Sequence, residues 1–191
     1  MLLYKRVVSF LLAFLIVSPI HAFSAEPEST DIPILSSEET ELEQLYAQLT
    51  LVPLPILQAF IERGWAVYID HIYLEKLSRE YGYTCIAATS YKNKGIYLTD
   101  AASLLHEFGH FLHYTLNFDK ESETLFQAEA QGVTFLRTYA KRNFREYFAD
   151  CFAYWIKNRE NQEALALMWA QAPETFRYFS GLEQEGWIRS D

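Results

Sequence analysis

Two histidines four residues apart, with a carboxylate directly after the first, mark the most reactive stretch of this sequence: His106-Glu107-Phe108-Gly109-His110. On a helix, at about 100° per residue, His106, Glu107 and His110 fall within an arc of about 100°. The two imidazoles then sit one turn apart and reach a single tetrahedral zinc ion, while Glu107 is offset toward a water on the metal. Such an ion, held by three protein groups, keeps one position open and lowers the pKa of its water from about 15.7 toward about 7. The chemistry implied is metal-assisted hydrolysis, with Glu107 taking the water's proton. A helix carrying two solvated histidines by accident would not need the apolar Leu104, Leu105, Phe108 and Phe111 that surround these.

The third ligand has to come from elsewhere. His113 lies near the same face but is seven residues from His106. That is about 10 Å along the axis, too far for both to bind one ion at about 2 Å. It is read as a packing residue or a hydrogen-bonding neighbour of a ligand. Metzincins carry a glycine and a third histidine at the positions held here by His113 and Leu116, so that class is excluded. The remaining candidates are Glu121, Glu123, Glu129, Glu146 and Asp150, and spacing selects Glu146. Glu146 and Asp150 share one face of an otherwise aromatic helix, Glu146-Tyr147-Phe148-Ala149-Asp150-Cys151-Phe152. One carboxylate can bind the metal, and the next can accept the free ring N–H of a ligating histidine and fix its tautomer. Glu129 has Val133 four residues on and offers no such partner.

These residues need elements to carry them. Ser36 followed by Glu39 makes a capping box for a helix with Leu42, Leu45, Tyr46 and Leu49 on one side. A second helix is expected from Pro55 to Arg63, stopped by Gly64. Alternation over Trp65–Ile69, Tyr83–Tyr91 and Ile96–Thr99 predicts strands, with a short helix around Leu74–Glu80 and a hairpin turn at Lys92-Asn93-Lys94-Gly95. Beyond Thr99 the apolar period lengthens to nearly four. Helices are expected over Asp100–Leu116, Glu123–Leu136, Phe144–Asn158, Gln162–Gln171 and Pro173–Glu183. The fold class is therefore α+β: one mostly helical domain over residues 36–191, with a small sheet of three to four strands packed on the helix that bears the histidines.

With 191 residues, 50% of them apolar, the chain can bury one core and is short for two. Residues 1–25 read as an export signal: Lys5 and Arg6, the apolar run from Val7, Pro19, then small residues with cleavage after Ala22 or Ala25. The 14 residues Val7–Ile20 fall short of the roughly 17–25 that span a bilayer, which argues for removal of the segment and against stable membrane association afterwards. Residues 26–35, with two prolines, are expected to be an extended leader outside the core. Losing Lys5 and Arg6 takes the formal charge from −9 to −11, which disfavours nucleic acid as a partner. Export permits a Cys85–Cys151 bridge, but two buried free thiols are the expectation.

The same residues carry a family resemblance. The His-Glu-x-Gly-His helix, a tyrosine seven residues before a glutamate (Tyr139 before Glu146), the Glu-aromatic-Phe-Ala-acid-x-Phe helix and the start Ala172-Pro173-Glu174-Thr175-Phe176 resemble the peptidase family of the anthrax lethal factor catalytic domain and the small secreted Pro-Pro endopeptidases. The resemblance runs from about Trp65 to the C-terminus and is most specific in the second half. It implies a zincin-like fold, one Zn²⁺ on His106, His110 and Glu146, Glu107 as general base, and Tyr139 as the phenol that stabilises the oxyanion. Asp150 would be the acid behind a ligating histidine; lethal factor has Glu there, so this chain departs by one methylene. The expected protein is a secreted, monomeric zinc endopeptidase acting on extracellular or surface proteins, with proline-containing sites as the narrower option. Tyr83–Tyr91 is expected at a sheet edge beside the cleft, and Trp65 either offers a platform for a proline ring or packs in the core. The alternatives are a non-catalytic, toxin-like binding module, and a host-targeted toxin protease that needs a delivery partner.

Overall fold

The computed structural model describes residues 32–35, 39–116, 118 and 120–188; the expected signal segment, most of the expected leader and the Ser36 cap lie outside the described residues. Four short strands form one mixed sheet: β1 (Ile34–Leu35), β2 (Ala66–Ile69), β3 (Ala87–Ser90) and β4 (Gly95–Leu98), in the order β1-β2-β4-β3. β1, β2 and β4 run parallel, and β3 returns antiparallel along β4, closing the expected hairpin over residues 91–94. Lys94 takes a positive φ of 49° in that turn, and Gly95 follows where a Cβ would stand 2.9 Å from the rings of Tyr68 and Tyr97. β3 forms the outer edge of the sheet on the side of the cleft described below.

The helices are α1 (Glu39–Leu49), α2 (Leu54–Glu62), α3 (His71–Tyr81), α4 (Leu104–Thr115), α5 (Lys120–Ala130), α6 (Phe144–Asn158), α7 (Gln162–Gln171) and α8 (Pro173–Gln184). Local chemistry sets several of their ends. Asp70 accepts the Tyr73 N–H to start α3, and Gly82 ends it in the left-handed region at φ 74°. Asn143 accepts the Glu146 N–H to start α6, and Asn161 accepts the Ala164 N–H to start α7. Leu104, Leu105, Phe108, Phe111 and Leu112 are buried on α4, which lies between the sheet and α6. Each such side chain contributes about 1.5–3 kcal/mol when fully withdrawn from water. Among the described residues no single helix is long and apolar enough to cross a membrane.

Three sequence expectations are corrected and one open alternative is decided. Ile34 and Leu35 are not leader: they pair with Val67 and Tyr68, and Ile34 is buried, because two residues are too few to show a period. The strand expected over Tyr83–Tyr91 is confined to Ala87–Ser90, since the Cys85 N–H is drawn back to Ser78 Oγ (2.8 Å). The helix expected to Leu136 stops at Ala130. Gly132 follows, and the side chain of Gln171 on α7 accepts the Thr134 N–H at 2.7 Å, so the chain leaves the helix with its donor satisfied. Of the two roles open to Trp65, packing in the core is the one observed: it is 2% exposed against Phe60, Phe111 and Tyr91. Cys85 and Cys151 are unbridged, and Cys151 is buried.

His113 packs among Phe118, Phe144 and Phe148, with ring centroids 5.3, 5.1 and 5.7 Å away. Burial, reinforced by Arg145 and His110, pushes its pKa down from 6.5 to about 4. A histidine lowered on folding stabilises fully above its unfolded value. Stability is lost as pH falls from 6.5 toward 4, because the unfolded chain takes a proton that the folded chain refuses. At about 1.4 kcal/mol per pH unit the displacement corresponds to about 3 kcal/mol, which the partly solvated position reduces to about 1–2 kcal/mol. Urea denaturation at pH 7.5 and 4.5 should show His113→Phe losing about 1–2 kcal/mol less than the unmutated protein over that interval. Parallel losses in the two proteins would refute this account.

Candidate active site

α4 and α6 approach so closely that Gly109 leaves no room for a side chain. A Cβ there would stand 2.6 Å from Ala149 Cα and 2.9 Å from its carbonyl oxygen. Both are backbone atoms, so neither can swing aside. The contact brings the first turn of α6 against the middle of α4 and sets Glu146 opposite His106 and His110. Gly109→Ala should therefore cost stability despite the roughly 1 kcal/mol that alanine gains in a helix. A net loss of about 1–2 kcal/mol in urea unfolding and at least about tenfold weaker affinity, by chelator competition, for any divalent cation held by this cluster are expected. Unchanged stability together with unchanged affinity would show that the helices do not depend on this contact.

The resulting cluster has the shape a metal needs. His106 Nε2 and His110 Nε2 lie 3.2 and 3.7 Å from Glu146 Oε2, and the three ligand atoms all fall within 4.8 Å of one another. A tetrahedral ion with bonds of about 2.1 Å separates its ligands by roughly 3.4 Å, which the two measured separations bracket. Glu146 Oε2 is buried and accepts no hydrogen bond, an orphaned lone pair facing two imidazoles. Burial alone would push the Glu146 carboxyl up, but the two histidines outweigh it and hold its pKa at about 2. His106, His110 and Glu146 could thus hold one divalent cation.

Behind the cluster, His106 Nδ1 is 2.6 Å from Asp150 Oδ1. Donation of Nδ1–H to that carboxylate leaves Nε2 bare for a metal, and the short side chain of Asp150 reaches that N–H fully. Arg137 grips the same carboxylate at both oxygens, Nε to Oδ2 at 2.8 Å and Nη2 to Oδ1 at 2.7 Å. Its Nη2 also lies 3.3 Å from His106 Nδ1, but there two donors share one acceptor and do not bond each other. Burial pushes Asp150 up; its two donors prevail and hold it below the ordinary carboxylate value. For His106, burial lowers the imidazolium and the Asp150 and Glu146 carboxylates more than reverse this, lifting it to about 9. A cation binding at Nε2 therefore expels a proton.

Glu107 points elsewhere. It is 4% exposed and accepts a hydrogen bond of 2.6 Å from Thr89 Oγ1 on β3. Tyr139 stands on the short 3₁₀ turn Thr138–Arg142, 38% exposed, with its ring 6.5 Å from that of His106. The guanidinium groups of Arg137 and Arg142 lie 5.3 and 4.7 Å from the ring centre. Burial, then the charge of Glu146 and the neighbouring Tyr83, raise the phenol's pKa, so it remains a proton donor at neutral pH. Thr89, Glu107, Arg137 and Tyr139 open, with His106, His110 and Glu146, onto one cleft of about 890 Å³.

The fold thus brings His106, Glu107, His110, Tyr139 and Glu146 to one cleft, with Asp150 behind His106. Glu129, set aside as a ligand, instead accepts the Glu174 and Thr175 N–H groups and the Thr175 hydroxyl, capping α8. Thr89 and Arg137 were missed. Neither has a local sequence signal, because each meets its partner across a distance in sequence that only packing closes.

Comparison with known proteins agrees with this picture. The solved structure of the Pro-Pro endopeptidase PPEP-2 from Paenibacillus alvei superposes with a TM-score of 0.58, covering 79% of this chain and 96% of that one at 14% identity. This supports the mostly helical, zincin-like fold with a small mixed sheet. No curated protein matches the sequence. Residues 69–182 match the family described as "Anthrax toxin lethal factor, N- and C-terminal domain". That stretch is more than half of the sequence and holds every residue of the cluster, and the chain belongs to the anthrax lethal factor family.

Proposed function

We propose that this protein is a secreted, zinc-dependent endopeptidase that hydrolyses peptide bonds in extracellular or surface proteins, with proline-containing segments as its preferred sites. The observation that carries the reading is the convergence of two imidazole nitrogens and an orphaned carboxylate oxygen, with a further buried carboxylate, Glu107, beside them. Zinc, when bound by His106, His110 and Glu146, would supply a Lewis acid and a water of lowered pKa.

The chain's own residues do the rest. Glu107 accepts the proton of the attacking water and passes it to the leaving amine nitrogen. Thr89 holds the Glu107 carboxylate on the side of the edge strand. Tyr139 donates its O–H to the oxygen that becomes negative in the tetrahedral intermediate. Arg137 and Asp150 keep His106 in the tautomer with Nε2 free. The outer edge of β3 is open to an extended peptide, which would add as a further strand beside Glu107. Tyr81 and Tyr83, stacked 5.9 Å apart, both exposed and both lining the cleft, replace Trp65 as the aromatic surface for a proline ring.

Zinc content and cleavage of a proline-rich peptide library, measured on the protein before and after chelation, test this. One zinc per chain and cleavage that stops on chelation and returns with zinc support the reading. Absence of zinc would remove it, and cleavage only at bonds remote from proline would remove the proline preference alone.

A further inference from the structure

The cleft continues into a second hollow of about 350 Å³, which shares Tyr91, Glu123 and Arg145 with it. Its remaining walls are His113, Tyr114 and Phe118, and Tyr91 stacks on Tyr114 with ring centres 4.8 Å apart. Arg145 supplies the permanent positive charge. It precedes Glu146 on the first turn of α6, where the Asn143 cap anchors the backbone, so the guanidinium is carried by the same rigid turn as a residue of the metal cluster. Arg137 is committed to Asp150 and Arg177 to Glu174, whereas Arg145 makes no ion pair among the described residues. Its field reaches both sides of the hollow, lowering the pKa of the His113 imidazolium and opposing the rise of the Tyr91 phenol. Glu123 is the other charged group on the hollow, and no ion pair joins it to Arg145.

We infer that this hollow is a subsite for an acidic side chain of the peptide substrate, with Arg145 as the residue that selects it. The inference rests on the peptidase reading of the adjoining cluster. An unpaired guanidinium offers a carboxylate two parallel N–H donors, a geometry that a neutral amide cannot match. The aromatic walls pack against the side-chain methylenes, while Arg145 itself stays exposed, so the ion pair forms at a solvated site. The chain's formal charge of −9 would repel an acidic peptide at long range, so the preference is local to this hollow. Glu123 opposes it, and neutralising Glu123 should sharpen the selection.

The test uses fluorescein-labelled hexapeptides in pairs that differ only by Glu or Gln, scanned through each position. Their binding to the zinc-loaded Glu107→Ala protein is measured in low-salt buffer, and their cleavage by the unmutated protein is measured separately. At one position Glu should bind about fivefold more tightly than Gln, a margin that shrinks with added salt. Arg145→Met should bring the ratio to about one, Arg145→Glu should invert it, Arg145→Lys should keep part of it, and Glu123→Gln should enlarge it. A ratio near one at every position, or one that Arg145→Glu leaves unchanged, overturns the subsite. Selective binding without cleavage would retain the subsite and remove the peptidase reading, whereas cleavage without Glu/Gln selectivity would do the reverse.

Discussion

Glu107→Ala is expected to bind zinc as the unmutated protein does and to lose about 10²–10⁴-fold in kcat, the range that a positioned general acid–base group supplies. The separation of the two effects follows from where the carboxylate points. His106, His110 and Glu146 converge on one another, whereas Glu107 is held aside by Thr89 at 2.6 Å. Removing it takes nothing from the metal cluster. The fold should also tolerate the change, since alanine is a strong helix former. The Thr89 hydroxyl keeps an acceptor as well, because the backbone carbonyl of residue 107 lies 3.4 Å from it. Zinc content and steady-state kinetics on the same preparation check the prediction. Normal turnover in this variant would refute the role of Glu107, and loss of zinc would place the carboxylate on the metal instead.

Glu146→Ala should give the opposite result, with zinc lost and turnover lost as a consequence. One of three converging ligand atoms disappears, and with it the buried charge that partly offsets the cation's. Chelator competition should register at least about 100-fold weaker binding. Asp150→Asn supplies the scale for comparison: it removes no ligand but weakens the acceptor for His106 Nδ1–H, a change of the kind that costs about 10–100-fold. If Glu146→Ala weakened binding no more than Asp150→Asn, Glu146 would not be a ligand. The unaltered protein should also release protons as zinc enters, because His106 is held up at about 9 until a cation takes its Nε2.

The convergence of the candidate metal ligands was legible in the sequence because helical geometry ties residue spacing to direction. His106, Glu107 and His110 lie on one helix, Glu146 and Asp150 on another, and a period of 3.6 places each set on one face whatever else the chain does. The starts of the last three helices, expected at Phe144, Gln162 and Pro173, were nearly as readable, and for two of them Asn143 and Asn161, which the sequence reading had not singled out, cap backbone groups only three residues away. Tyr139 was different. It stands on a short turn with no periodic signal, and only its spacing from Glu146 within a family pattern singled it out.

What spacing along a chain cannot encode is the meeting of two elements, and each correction lies there. Whether Ile34 and Leu35 were leader or strand depended on the backbone of Val67 and Tyr68, and the end of α5 on a side chain from α7. Trp65 became core because Phe60 and Phe111 close over it. Arg137 gripping Asp150, Thr89 holding Glu107 and Arg145 lining an aromatic hollow likewise join residues that the sequence keeps apart. The residue types and their helical phase establish which atoms can do chemistry. The depth at which α4 and α6 pack, limited by the missing side chain of Gly109, sets whether those atoms meet, because close packing acts between surfaces that the linear order of residues does not specify.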